Sequence, residues 1–294
     1  MVSADFRITH ASMARKVTGN LQNSLLRLQR LQEQISSNKA INRPSDSPVG
    51  TVSALRIRAE IGRNEQIDRN LDDANSWLST ADDTLVSVVD QINRIRDLAI
   101  QANSGAIGQT ERDAIGQEMT KLRDGLVGLA NTKYLGRSIF GGTTAGDAYD
   151  ANGAFIGVAA AIERTIAPGT RVQINLNGES VFGATGADLF TVVNNLTTAV
   201  TTGVNIGTEL DNLDTRTRLV QQGLAEVGAR VRRINTMQDR ASATAITLKQ
   251  GLSQVEDVDL PKVIMEMRIQ ETAYQAALST TAKVIQPSLV DFLR

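Results

Sequence analysis

Stepping alternately by four and three residues from Ile67, the chain presents Ile67, Leu71, Ala74, Leu78, Ala81, Leu85, Val88, Ile92, Ile95, Ala99 and Ala102, all apolar. A 4-3 rhythm keeps such side chains on one stripe of a helix. The rhythm restarts at Ile206 and runs through Leu210, Leu213, Thr217, Val220, Leu224, Val227, Val231, Ile234, Gln238, Ala241, Ala245, Leu248, Leu252 and Val255; only Thr217 and Gln238 are polar. Neither stripe contains proline. The second predicts a helix about 75 Å long, which needs a partner of similar length. The first stripe supplies it. Between them, Ile115, Met119, Leu122, Leu126 and Leu129 mark a shorter helix. Thr110 is its expected N-cap, with Glu111 and Asp113 in the first turn, where negative charge suits the helix dipole. The spacing predicts helices over 50–103, 110–131 and 206–256 in an elongated antiparallel bundle.

The pattern changes after Phe140. Residues 141–187 are rich in glycine, with short apolar or alternating runs at 155–158, 162–166 and 171–176. These predict strands, with turns at Pro168-Gly169 and Asn177-Gly178. A short helix over 188–201 would turn Leu189, Val192, Val193 and Leu196 inward. At the ends, Leu21, Leu25, Leu28, Leu31 and Ile35 define an amphipathic N-terminal helix. Leu260, Val263, Ile264, Met267, Tyr274, Leu278 and Ile285 define a C-terminal one. Pro44 and Pro48 set the first apart. Asp257, Asp259 and Pro261 set the second apart, Pro261 suiting a first helical turn. The fold class expected is mainly α: an elongated antiparallel helical rod with terminal coiled-coil helices and a small β-rich insertion domain. Its parts are the paired ends 1–43 and 258–294, the rod 44–140 and 205–257, and the insertion 141–204.

Composition narrows the function classes. The chain has 294 residues, 31 Lys+Arg against 32 Asp+Glu, a net charge of −1, one His and no Cys. A near-neutral balance gives no basic field for nucleic acid or an anionic membrane. The scattered Arg27, Arg30, Arg43, Arg94 and Arg96 form no basic tract. Absence of cysteine excludes disulfides and thiolate chemistry, and one histidine excludes a two-histidine metal motif. Aromatics are 3% of the chain, so its core rests on Ala, Leu, Ile and Val. No run of about 18 apolar residues is present to cross a membrane. The N-terminus lacks the basic flank and apolar run of a cleaved signal peptide.

The sequence carries no pattern of a catalytic, cofactor or metal site. Phe140-Gly141-Gly142-Thr143 lacks the Gly-Lys-Ser/Thr of a phosphate loop. Asp150, Asn152 and Gly153 fit three places of a calcium loop, but Ala148 and Ala159 stand at its first and last ligands. An Asp-Asn-Gly turn is the better reading. Asp72-Asp73 and Asp82-Asp83 are adjacent helical pairs that point about 100° apart and do not converge. His10 has no nucleophile or orienting partner. Trp77, beside Leu78, reads as a packing residue. What remains is a building block: apolar stripes that a lone chain cannot fully bury ask for identical neighbours.

Several segments carry a resemblance. Ala40-Ile41-Asn42-Arg43-Pro44-Ser45-Asp46-Ser47-Pro48-Val49-Gly50 resembles the segment after the first helix in bacterial flagellins and their relatives. Ile92-Asn93-Arg94-Ile95-Arg96-Asp97-Leu98-Ala99-Ile100-Gln101-Ala102-Asn103 is similar to the rod signature of that family. Leu129-Ala130-Asn131-Thr132 and Gly136-Arg137-Ser138-Ile139-Phe140-Gly141-Gly142-Thr143 resemble the exit from its helical domain. Gln270-Glu271-Thr272-Ala273-Tyr274-Gln275-Ala276-Ala277-Leu278, with Gln286 to Leu293, resembles its C-terminal helix. The likeness covers about 1–140 and 205–294, and the chain is identified as a member of the flagellin family.

The resemblance implies a structural protein of the bacterial flagellum and no enzyme. Pro44 with Pro48, the Gln286-Pro287-Ser288-Leu289 ending and the short insertion are similar to members that form the junction layer between hook and filament, as adaptors for flagellin polymerisation. The Ile95–Gln101 stretch is similar to members that are the filament subunit itself. The junction reading is preferred and both stay open. Also implied are flagellar type III export without a cleaved signal and an extracellular place in the flagellum. The implied partners are a chaperone on the C-terminal helix around 260–293, the first hook-associated protein on the proximal side and flagellin on the distal side. The subunits would self-associate in a ring. The expected assembly interface is Leu21, Leu25, Leu28, Leu31, Ile35, Leu260, Val263, Ile264, Met267, Tyr274, Leu278, Ile285, Leu289 and Phe292. The terminal helices are expected to be disordered in the free chain, because ordering costs roughly 1–2 kcal/mol per residue. A cytoplasmic helical signalling hairpin is a more distant alternative; the insertion and the proline-marked breaks argue against it.

Overall fold

The computed structural model describes residues 10–104 and 107–285, with side chains for 15–104 and 107–282. The helices are α1 (His10–Ser37), α2 (Pro48–Ala102), α3 (Gln109–Ala130), α4 (Gly178–Phe182), α5 (Leu189–Thr202), α6 (Gly207–Glu256) and α7 (Leu260–Ile285). The strands are β1 (Lys133–Tyr134), β2 (Arg137–Ser138), β3 (Glu163–Ala167) and β4 (Thr170–Gln173). The fold is mainly helical with a small β region, and no described helix is long and apolar enough to cross a membrane. Two compact units result. One takes in the described residues up to Gly62 and from Ala245 onward; the other is Arg63–Thr244. The division falls inside α2 and α6, not at Pro44 or near residue 205.

In the Arg63–Thr244 unit, the long stripes form the core. Leu71, Leu78, Leu85, Ile92, Ile95 and Ala99 on α2 are almost fully buried, as are Leu213, Val220, Val227 and Ile234 on α6. The helices run antiparallel. Arg96 pairs with Asp214 at 2.7 Å, Gln238 donates to Asp72 at 2.9 Å, and Asn64 donates to the Ala241 carbonyl at 3.0 Å. Met119 and Leu126 bury the inner face of α3 in the same core, and α3 also packs on α5.

Helix starts differ from the pattern in two places. Thr110 does not cap α3; Gly108 does, with no side-chain cap. The Gly108 carbonyl already accepts from the Arg112 amide at 3.2 Å, so the first helical bond forms ahead of Thr110. Asn177-Gly178 opens a helix where the pattern predicts a turn between strands. The Asn177 Oδ1 accepts from the Glu179 amide at 3.2 Å and so caps α4. The helix expected over 188–201 is α5, capped by Asp188, whose Oδ1 accepts from the Thr191 amide at 2.8 Å.

Of the three expected strand runs, two form one antiparallel hairpin. β3 and β4 pair Arg164 with Val172 and Thr165 with Arg171, then shift register before Ala167–Thr170. Pro168 and Gly169 make the turn, with Gly169 at φ +72°. The third run, 155–158, has only isolated bridges, Tyr149 to Phe155 and Gly142 to Val158. Those bridges use its amides: Ile156 donates to the Ala148 carbonyl at 2.8 Å, and Val158 to the Gly141 carbonyl at 3.2 Å and the Thr144 hydroxyl at 2.9 Å. The β1–β2 hairpin was not foreseen. It turns through Leu135 and Gly136, both at positive φ. Tyr134 packs edge-on to Trp77 at 5.7 Å, which makes Trp77 a core residue.

Side chains lock the connecting segments to the helices. Asn131 receives the Ala148 and Tyr149 amides on its Oδ1, each at 2.8 Å, and donates to the Tyr149 carbonyl at 2.8 Å. Arg230 donates to the carbonyls of Gln173 at 3.1 Å and Asn175 at 2.7 Å, and Arg164 pairs with Asp73 at 2.7 Å. Asp150 spends its Oδ1 on the amides of Asn152 and Ala154, the geometry of a turn. Tyr149 lies among Phe155, Phe182 and Phe190, with ring centroids 5.1–5.6 Å away. Burial raises its phenol pKa far above the ordinary value, and Asp188 and Glu179 add to the rise.

Candidate assembly interface

The unit holding the terminal helices is built on one seam. Helix α1 packs against α7. Along α1 a protected run steps Val17, Leu21, Ser24, Leu28, Leu31, Ile35, and along α7 it steps Leu260, Val263, Met267, Gln270, Tyr274, Ala277, Thr281. Both runs alternate steps of three and four, the spacing of a two-helix seam. Within it Leu28, Leu31 and Val263 are buried, at 8, 8 and 7% exposure. Leu21, Ile35, Leu260, Met267 and Tyr274 are half-buried. Ser24, Gln270 and Thr281 are polar members, so the seam is thin.

Leu25, Ile264 and Leu278 do not enter the seam. They expose 44, 45 and 44% of their surface. Each is displaced by one residue from a seam position (Ser24, Val263 and Ala277), a rotation of about 100° around the helix. The side chains of Ile285, Leu289 and Phe292 lie outside the described residues, as does that of His10.

The pattern missed other exposed apolar residues. Leu26, Met265 and Ile269 stand 50, 58 and 62% exposed on the outer faces of α1 and α7. Val49, Val52 and Leu55 stand 80, 60 and 60% exposed on the first turns of α2. The signal was present: Leu26 adjoins Leu25, Met265 and Ile269 are four apart, and Val52 and Leu55 are three apart. They fall outside the single main stripe of each helix. Of the sixteen large apolar side chains exposed among the described residues, ten belong to this unit. This concentration makes the unit the candidate interaction surface.

The corners of the unit are clipped together. Where α1 ends, Asn38 takes φ +57°, and Lys39 forms an antiparallel bridge with Asp257 just beyond α6. The Ala40 amide donates to the Glu256 carbonyl at 2.6 Å and the Val258 amide to the Asn38 carbonyl at 3.3 Å. The Glu256 carboxylate, 7% exposed, takes Lys39 Nζ at 3.0 Å and an Arg58 guanidinium nitrogen at 2.7 Å. Burial alone would raise its pKa, but the hydrogen bonds and charges of Lys39 and Arg58 outweigh that and hold it below the ordinary carboxylate value. Nearby, Arg43 pairs with Glu33, and Asp46 accepts the Asn42 and Arg43 amides. Among the described residues, no group of three or more metal-ligating side chains comes together.

Comparison with known proteins agrees with this architecture. The bacterial flagellin N-terminal helical region matches residues 8–145, and the bacterial flagellin C-terminal helical region matches residues 210–293. Flagellar hook-associated protein 3 of Salmonella typhimurium is 24% identical over 93% of this chain and 95% of its own. Flagellin of Bacillus subtilis is 26% identical over 95% of this chain and 96% of its own. The solved structure of Bacillus cereus FlgL shares the fold, with a TM-score of 0.61 at 22% identity, covering 67% of this chain and 99% of that one.

Proposed function

The chain belongs to the bacterial flagellin family, and we propose that within it the chain is an adaptor of the layer between hook and filament. The observation that carries this reading is the nearly end-to-end match to hook-associated protein 3. Pro44 and Pro48 around the α1–α2 corner support it. The B. subtilis flagellin match favours a second reading, in which the chain is the filament subunit itself.

The mechanism follows from the terminal unit. One seam with three buried apolar side chains leaves outer faces of α1, α7 and early α2 uncovered. Identical neighbours related by rotation would cover them and close a ring, which is how a heterologous contact terminates. The terminal pair becomes fully ordered when those neighbours arrive. On this reading the chain travels to the outside of the cell by flagellar export, with a chaperone shielding α7 on the way. It then seats on the first hook-associated protein and offers its distal face to flagellin.

The test is electron microscopy of isolated hooks that already carry the first hook-associated protein. The adaptor reading predicts that adding the full chain makes these hooks competent to receive flagellin, while the chain adds no length by itself. Filaments that elongate without limit from the chain alone would establish the second reading.

A further inference from the structure

We propose that Glu256 is a latch that joins the two chain reversals and sets the register from which α1 and α7 zip together. The latch brings together residues 217 positions apart in the chain. It combines a short antiparallel bridge with one buried carboxylate shared by two cations, on the α1–α2 connection and on α2. The seam begins just outward of it. Ile35 precedes the Asn38 corner and Leu260 follows the Val258 amide, so fixing 38–40 against 256–258 fixes which turn of α1 meets which turn of α7. With the corner closed, the remaining contacts form between tethered helices and no longer bear the closure cost of the long intervening chain. The proposal holds whichever flagellar layer the chain forms.

The same geometry makes the latch sensitive to acid. Protonating Glu256 removes the charge that Lys39 and Arg58 share. The other charged groups of the corner already have partners: Arg43 holds Glu33, the Asp257 carboxylate accepts from Ser253, and the Asp259 carboxylate caps the first turn of α7. A pocket of about 210 Å³ beside Glu256, lined by Ile41, Arg43, Pro44 and Leu55 among others, gives water access to the released cations. Because the folded carboxyl has the lower pKa, the latch is closed above the ordinary carboxylate pKa and is lost as pH falls through the folded value.

Hydrogen–deuterium exchange on the full-length free chain tests this, read as protection factors at the Ala40 and Val258 amides. Glu256→Gln is expected to lower both by about tenfold, the scale of losing a hydrogen bond to a charged group. Protection across 71–99 of α2 should be unchanged. In the wild type both factors should fall on acidification; in the variant they should stay flat. Arg94→Met, which breaks an exposed pair with Glu118 in the other unit, serves as control. If Glu256→Gln loses protection throughout, Lys39→Gln, which leaves Arg58 to neutralise the carboxylate, should show a smaller local loss. Unprotected wild-type amides, unchanged protection in the Glu256 and Lys39 variants, or a wild type indifferent to acid would each overturn the latch.

Discussion

Replacing Leu28 with aspartate places a carboxylate in the buried part of the terminal seam. Leu28, Leu31 and Val263 are its buried apolar members. Burying each contributes about 2 kcal/mol, so the three supply about 6 kcal/mol. Leu28→Asp removes about a third of this, and an unpaired buried carboxylate costs several kcal/mol more. The sum cancels the seam. The expected result is loss of whatever pairing of α1 and α7, helices of 28 and 26 residues, the free chain holds before neighbours complete it. Most helical stability in proteins comes from the packing of an apolar face, which the substitution removes. Far-UV circular dichroism should show the partial loss of helix, and hydrogen exchange should place it in residues 15–37 and 260–282. The Arg63–Thr244 unit shares none of these residues and should keep its melting transition. Assembly on hooks should stop. Wild-type protection along α7 in this variant, or loss of the Arg63–Thr244 transition with it, would refute the reasoning.

Three further outcomes concern the second unit. Met119→Ala, at a fully buried site, should cost about 2–5 kcal/mol in denaturant unfolding. Asp188→Ala removes the α5 cap and should cost about 0.5–2 kcal/mol by the same measurement. Of the chain's three tyrosines, Tyr149 should resist ionisation in an alkaline absorbance titration until the unit unfolds. Its raised pKa means that its contribution is complete below the ordinary phenol pKa and fades as pH rises above it, so unfolding should become easier in strong alkali.

The long helices were legible because their stripes repeat over many turns. Ile67 to Ala102 and Ile206 to Val255 mark positions that are buried or half-buried throughout. Short elements depend on particular hydrogen bonds, and these were harder to read. Thr110 looked like a cap, yet Gly108 closes the first turn without any side chain. Asn177-Gly178 has the composition of a turn between strands, yet the Asn177 oxygen meets a helical amide. Phe155–Val158 has the composition of a strand but finds its partners in loops. In the terminal unit, Leu25 and Ile264 fit the 4-3 rhythm from Leu21 and Leu260 as well as the seam members Ser24 and Val263 do, so spacing alone could not assign them and packing decides. The Lys39–Arg58–Glu256 cluster carries no local signal. It depends on a return of the chain after 217 residues.

The most direct test of the central claim is the pair of substitutions Leu26→Glu and Ile269→Glu, both outside the seam and more than half exposed or close to it, at 50 and 62%. If the outer faces of the terminal helices are the surfaces that neighbours cover, the double variant should match the wild-type free chain in helix content and melting. It should fail to assemble on hooks. Normal assembly by the double variant would contradict the account.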